Sequence, residues 1–298
     1  MDGKNDSTLR VFKDRKEVNK ICLLKGEMPE NDNEITIDRM YADNNKVKVG
    51  DKIRVGDKEF KVSGLVALSD FSALYSDNND LMFDAVLFGV AIVKDDVFEA
   101  FDHNISYSYV WKYRNEPVNE TKEKKMSDKF LEKMVEDVYM VQNNGEIYIP
   151  RYQNNAIQFT GDDIGGDQSM MLVLLYILIV IMAFVFAVTI NHTITREAAV
   201  IGTLRASGYT RTELIRHYIF LPIMVSLVAA VIGNILGYTA FKYVAASMYY
   251  GSYSLPTYVT IWNGKAFILT TVVPLIIMLV VNFISLYKKL KRSPLKFI

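Results

Sequence analysis

Apolar residues are distributed in two different ways along this chain. Over residues 1–168 they alternate with polar ones or recur at short intervals; beyond Gln168 they gather into three long runs. Segments 169–191 (SMMLVLLYILIVIMAFVFAVTIN) and 266–287 (AFILTTVVPLIIMLVVNFISLY) carry no charge, and segment 218–246 (YIFLPIMVSLVAAVIGNILGYTAFKYVAA) carries only Lys242, near its far end. A hydrocarbon core about 30 Å thick needs roughly 20 helical residues at about 1.5 Å each. All three runs are long enough, and none shows the polar stripe of a soluble core helix. They predict three transmembrane helices.

Upstream the periodicities are those of a globular domain. Residues 34–38 (EITID) alternate at a period of two, as a half-buried strand does. Residues 52–55 and 58–62 flank Gly56-Asp57, a hairpin signal with glycine at the first turn position, as type II′ geometry prefers. Gly50-Asp51 marks another tight turn. Residues 85–93 (AVLFGVAIV) read as a buried strand followed by a short helix over 95–101, and 106–114 (SYSYVWKYR) as a strand with aromatics on one face. In 127–141, Phe130, Leu131, Met134, Val135, Val138 and Val141 recur at helical spacing, with Ser127 as N-cap. Residues 154–168, with Gly161, Gly165 and Gly166, read as a linker into the first span. The predicted architecture is an α-helical membrane protein with an N-terminal α+β domain, divided at 168/169.

The formal net charge of zero hides an asymmetry. Residues 1–168 hold 23 Lys+Arg against 32 Asp+Glu, and residues 169–298 hold 11 against 2. Two regions in two environments follow. Loop 192–217 contains Arg196, Arg205, Arg211 and Arg216, the tail contains Lys288, Lys289, Lys291, Arg292 and Lys296, and the intervening loop 247–265 contains only Lys265. An excess of Lys and Arg marks the cytoplasmic side. The chain is therefore expected in a cell membrane with loop 192–217 and the C-terminus inside, and residues 1–168 outside. Residues 1–25 are charged and polar, without a signal peptide or leading apolar span. Export of so large a domain needs an apolar segment upstream, so the chain is expected to be a piece of a longer protein, lacking its first span.

Chemistry-bearing patterns are sparse. Cys22 stands alone, which excludes an intrachain disulfide, and the histidines are His103, His192 and His217. There is no CxxC, HExxH or calcium-loop spacing, so no metal site is expected. Asp70, Asp77, Asp80 and Asp84 cluster, but at spacings that fit a solvated loop rather than a ligand set. No nucleophile setting and no phosphate loop is present. Within the spans Gly233, Asn234 and Gly237 form a small-xxx-small arrangement, Asn282 adds a second amide, and Pro222 and Pro274 predict bends. Helix packing and a substrate path are both open for Gly233, Asn234, Gly237 and Asn282. The spans contain no Asp, Glu or Arg, which argues against a proton-coupled pump and assigns energy supply to a partner.

Loop 192–217 carries the densest signal. Residues 196–206 favour a helix with Ala198, Val200, Ile201 and Leu204 on an apolar face; Gly208 sits where a left-handed C-cap is wanted, and Thr210-Arg-Thr-Glu213 is a capping box into the next helix. The result is a rigid elbow, with Arg196, Glu197 and Arg205 as polar anchors around an Ile201/Leu204 patch. Docking of a partner and rest among lipid headgroups are both compatible with it.

The run Arg196-Glu197-(x)3-Ile201-Gly202-(x)-Leu204-Arg205-Ala206-(x)-Gly208 resembles the inner loop of the FtsX-like permease family, membrane subunits of ABC transporters similar to MacB and the lipoprotein-release permeases. Segment 290–295 (LKRSPL) is similar to that family's basic, proline-containing tail, and 24–29, 34–38, 49–53 and 60–64 resemble its outside domain. The resemblance implies that the present spans are the second, third and fourth of a four-span unit. It also implies an ATPase-coupling loop made of Arg196, Glu197, Ile201, Gly202, Leu204, Arg205, Gly208 and Tyr209. Implied partners are a cytoplasmic ABC ATPase, which would hold ATP and Mg, a second permease copy or half, and membrane lipid. No cofactor in this chain, no nucleic acid and no enzymatic activity are expected. The implied function is coupling of ATP hydrolysis to movement of the outside domain, for export or extraction of a lipid, peptide or lipoprotein. A relay that activates a cell-wall hydrolase without transport, a membrane-anchored sensor or scaffold, and a membrane enzyme are the alternatives.

Overall fold

The structure, a computed structural model, describes residues 7–101, 105–141 and 147–291. The chain forms two compact units, one of Met1–Ile164 with Ala246–Val259 and the other of Gly165–Ala245 with Thr260–Ile298. The sheet unit thus takes in a segment from beyond the second span.

In chain order the first unit contains β1 (Thr8–Phe12), β2 (Ile21–Gly26), β3 (Glu34–Asp38), α1 (Arg39–Asn44), β4 (Lys52–Val55), β5 (Lys58–Leu68), β6 (Phe88–Ile92), α2 (Asp95–Glu99) and α3 (Glu120–Met140). The strands lie in the order β1-β6-β3-β5-β2, with β4 also on β5. β1 runs parallel to β6, and β3 runs parallel to β5; the remaining pairs are antiparallel. β3 takes one edge of β5 while β4 and β2 share the other in succession, since Lys61 pairs with both Glu34 and Lys52. β6 is buried along its whole length and β3 nearly so. At Gly89 the Tyr41 ring of α1 occupies the place of a side chain: a Cβ there would lie 2.5 Å from Tyr41 Cγ. The hairpin over Gly56-Asp57 is formed, with Gly56 at φ +58°.

Three expectations fail here. Segment 106–114 joins no strand pairing among the described residues; its alternation instead turns Trp111 onto Phe130 and Tyr148, at ring-centroid distances of 4.9 and 5.3 Å. Alternation fixes which side chains share a face, but a ladder also needs a free edge. Ser127 is no N-cap. α3 begins at Glu120, capped by Asn119, and Ser127 lies buried inside it with its hydroxyl 2.9 Å from Tyr148 Oη. The glycine-rich linker is helical: α4 runs unbroken over Asn155–Arg196. Each glycine costs about 1 kcal/mol against alanine, but Ala156 is buried in the sheet core and Phe159 packs edge-on to Tyr75 and Phe83, which offsets that cost.

After α4 come α5 (Ala198–Ala206), α6 (Arg211–Leu236), α7 (Lys242–Ser252), α8 (Gly264–Phe267) and α9 (Val273–Leu290). π-helical turns at Gly237–Phe241 and Ile268–Val272 join α6 to α7 and α8 to α9 without a break. Among the described residues three helices are long and apolar enough to cross a membrane: Asn155–Arg196, Arg211–Ser252 and Gly264–Leu290. The protein is a membrane protein with three such helices and an N-terminal α/β sheet domain. Pro222 lies inside α6, and Pro274 falls in the first turn of α9, directly after a π turn.

Candidate functional site

The elbow between the first two spans is built by two chain signals in succession. α5 ends in a full Schellman cap. Gly208, at φ +101°, donates to Arg205 O, and Tyr209 N donates to Leu204 O at 3.0 Å. Only glycine adopts that backbone cheaply. Two residues on, Thr210 opens α6 with a reciprocal box: Glu213 N donates to Thr210 Oγ1, and Thr210 N donates to Glu213 Oε2 at 2.8 Å.

The face that α5 turns inward differs from the expected docking patch. Ile201 is 0% exposed, packed with Ile190 and Ile194 of α4, Leu214 and Ile215 of α6, and Leu286 and Leu290 of α9, while Leu204 is half-buried against the same cluster. These two side chains therefore cannot form a patch for a partner. Burying them removes apolar surface from water and ties the elbow to the adjoining ends of all three spans. Gly202 is buried beside them. Glu197 and Arg205, expected as outward anchors, are also engaged. Tyr218 Oη donates to Glu197 Oε2 at 2.6 Å, and Arg205 Nη1 donates to Leu290 O at 3.4 Å, at the C-terminal end of α9. The outward face is instead Arg196, Val200, Tyr209 and Arg211, with Val200 57% and Tyr209 51% exposed.

Inside the spans, polar groups meet at the π turns. Asn234 Nδ2 donates to Thr271 Oγ1 at 2.9 Å, joining α6 to the turn before α9, and Tyr176 Oη donates to Leu269 O at 3.1 Å in that same turn. A Cβ added at Gly233 or Gly237 would meet nothing within 4 Å. Within this chain those glycines accommodate no neighbouring helix. Asn282 is buried in α9, bonded to Met278 O.

A second cluster, absent from the sequence reading, fastens residues 246–259 into the sheet unit. Asp38, fully buried at the end of β3, caps α1 by accepting from Met40 N and Tyr41 N, and its other oxygen accepts from the Ser254 hydroxyl. Ser254 N donates to Ser72 O at 2.9 Å. Arg39 donates to the carbonyls of Tyr250 and Tyr253. Tyr253 Oη donates to Asp163 Oδ2 at 2.8 Å, and its ring lies 5.8 Å from that of Phe83. Burial pushes the Asp38 carboxyl up to about 6, against the opposing pull of its hydrogen bonds. Asp38 was legible only as the last polar position of an alternating strand; the signal for its role is an Asp directly before a helix-forming stretch.

The acidic cluster shapes local structure. Asp70 pairs with Arg15 at 2.6 Å, Asp80 accepts from Ser76 and Asp77 N, and Asp84 accepts from Val86 N and Leu87 N. Among the described residues no group of three His, Cys, Asp or Glu could hold a metal ion. His103 lies outside the described residues.

Residues 172–294 match the family described as FtsX-like permease C-terminal. No curated protein matches the chain. The matched stretch contains the elbow and nearly all of the three spans. Over these residues the chain is similar to an FtsX-like permease domain, which supports an ABC transporter permease-type role, and members of that family normally work with a cytoplasmic ABC ATPase.

Proposed function

With an FtsX-like permease C-terminal domain over residues 172–294 as the premise, we propose that this chain is the permease subunit of an FtsX/MacB-type ABC transporter. A separate cytoplasmic ATPase binds ATP and Mg, grips the elbow, and moves the sheet domain outside the membrane to export or extract a lipid, peptide or lipoprotein. A second permease copy or half completes the assembly. The elbow and C-terminus lie in the cytoplasm, the sheet unit outside.

One observation carries this reading: the elbow is fixed to all three spans through Ile201, Tyr218–Glu197 and Arg205–Leu290. A force applied to its outward face therefore reaches the helices as a rigid-body tilt. α4 starts in the sheet unit at Asn155 and ends beside the elbow at Arg196, so the same helix carries that motion outward. Without an acidic or Arg side chain in the spans, no proton route competes as a source of energy.

The test uses the chain reconstituted with its ATPase. Val200→Asp together with Tyr209→Ala should abolish the permease-dependent change in ATP hydrolysis while membrane insertion and thermal stability stay as in wild type. Wild-type coupling in that double variant would overturn the assignment of the outward face.

A further inference from the structure

Between the elbow ends of α4 and α9 lies a small pocket of about 230 Å³ that the proposed function does not use. Ala187, Ile190 and Asn191 of α4 line one side, and Ser285, Lys288 and Lys289 of α9 the other. No carboxylate lines it. Within residues 169–298 the only acidic side chains are Glu197 and Glu213. Glu197 accepts from Tyr218 Oη at 2.6 Å, and Glu213 is held in the capping box at the start of α6. Lys288 and Lys289 form no ion pair among the described residues. They do not cap α9 either, because Leu290 O at its end accepts from Arg205 Nη1. The sequence after Lys291 adds Arg292 and Lys296 and no Asp or Glu. Ser285 Oγ donates to Val281 O at 2.9 Å, so the donors left to the pocket are two ammonium groups and the Asn191 amide.

We propose that this pocket holds the headgroup of an anionic phospholipid, with its phosphate at Lys288, Lys289 and Asn191. Charge sets the sign of the ligand: two cations and an amide, with no carboxylate among them, call for an anion with several acceptor oxygens. The helices that form the walls say that the anion is carried by a lipid. Both belong to segments long and apolar enough to cross a membrane. Both also run in the same sense here, since Ile190 and Ile194 pack with Leu286 and Leu290. One turn before the lining residues, Phe184 on α4 is 69% exposed and Ile284 on α9 is 45% exposed. Along each wall, uncovered apolar side chains thus come first and the polar donors follow. A soluble anion would match the lysines and leave Phe184 and Ile284 bare. A zwitterionic lipid would cover Phe184 and Ile284 but would bring its own cation to a pocket without a carboxylate to receive it. An anionic phospholipid satisfies both parts, and basic pockets between membrane helices take such headgroups. The argument does not depend on which face of the membrane the elbow occupies; on the orientation proposed above the lipid comes from the cytoplasmic leaflet.

The experiment places a reporter one turn from the pocket. Phe184→Trp is made in the full chain with Trp111→Phe and Trp262→Phe, and the purified protein is reconstituted in phosphatidylcholine bilayers. Quenching by brominated phosphatidylglycerol is compared with quenching by brominated phosphatidylcholine. Phosphatidylglycerol should be preferred at least about fivefold, the effect of one cationic side chain at an anionic lipid surface. Lys288→Gln with Lys289→Gln should bring the preference to unity, and Lys288→Arg with Lys289→Arg should retain it. Arg216→Gln, which removes a cation at the elbow end of α6 outside this pocket, should leave it unchanged. Equal quenching by both lipids would overturn the proposal, as would a preference that survives the double glutamine variant. An equal loss on Arg216→Gln would mean general surface attraction and overturn it as well. So would the absence of quenching by either lipid, which would mean that a second copy or another protein covers the pocket. Loss of the preference on adding inorganic phosphate at constant ionic strength would mark a soluble-anion site and overturn it too.

Discussion

Arg39 Nη2 donates to the backbone carbonyl of Tyr253 at 2.7 Å, joining residues 214 positions apart in the chain. The same nitrogen donates to Tyr250 O at 2.8 Å, and Nη1 pairs with Asp43. Tyr250 lies in the last turn of α7 and Tyr253 just beyond it, where helix carbonyls lack intrahelical partners. One guanidinium from the sheet unit thereby stoppers the far end of the helix that carries the second span.

Arg39→Ala should remove the guanidinium's hydrogen bonds to both carbonyls, at a cost of about 1.5–3 kcal/mol for hydrogen bonds to a charged group. The amide of Ser254, which donates to Ser72 O, is the natural monitor. Its hydrogen exchange should speed up by roughly 10- to 100-fold, the equivalent of that energy. Unchanged exchange would show that the ring cluster of Tyr253, Phe83 and Phe159 holds the segment alone.

Asp38 gives the same fastening a pH dependence. Its carboxyl is raised from 3.8 to about 6 by burial. A raised folded-state value means that the folded protein binds the proton more tightly than the unfolded chain does. The associated stability is fully present below about pH 4 and is lost as pH rises through about 6, at most about 3 kcal/mol. Asp38→Asn keeps an acceptor for Met40 N and Tyr41 N but cannot ionise. The difference in thermal stability between variant and wild type should therefore shift in the variant's favour between pH 4.5 and pH 7. An identical difference at both pH values would mean that Asp38 stays charged in place.

What the sequence disclosed follows from which forces are local. Spans, the Gly56 hairpin, the Gly208 cap and the Thr210–Glu213 box were legible because each is set by residues within a few positions of one another. The linker reading of 154–168 failed because Ala156 and Phe159 find their partners in the sheet core, which overrides the glycines. The inward turn of Ile201 was illegible for a similar reason. An apolar stripe on a short helix shows that something covers it, not whether that cover is the chain's own spans or a partner. Ser254 and Asp38, more than 200 residues apart in sequence, meet only through the fold.

The two faces of α5 should respond oppositely to mutation. Ile201→Ala opens a cavity among Ile194, Leu214 and Leu286 and should cost about 2–4 kcal/mol. Val200→Ala, on the exposed side, should change stability by less than about 0.5 kcal/mol. Thermal unfolding of the purified chain in detergent separates the two. Equal, small effects would mean that the elbow is not packed against the span ends.

The pair Asn234–Thr271 tests whether polar contacts at the π turn hold the second and third spans together. Asn234 Nδ2 is shared between Thr271 Oγ1 at 2.9 Å and its own helix carbonyl of Ala230 at 2.8 Å, so losing Thr271 leaves the amide with a partner. The loss is therefore modest. Hydrogen bonds between helices in a membrane average about 0.6 kcal/mol, because the separated helices also find partners. Thr271→Val preserves shape and removes the hydroxyl, and Asn234→Ala removes the amide. In a double-mutant cycle on the chain in bilayers, the coupling should lie at about 0.6 kcal/mol and not exceed about 1.7 kcal/mol. Tyr176→Phe, which frees Leu269 O in the same turn, should alter that coupling, since both bonds depend on the same widened backbone. A cycle that closes to zero, with or without Tyr176, would show that the π turn is held by its apolar packing and that Asn234 bonds only within its own helix.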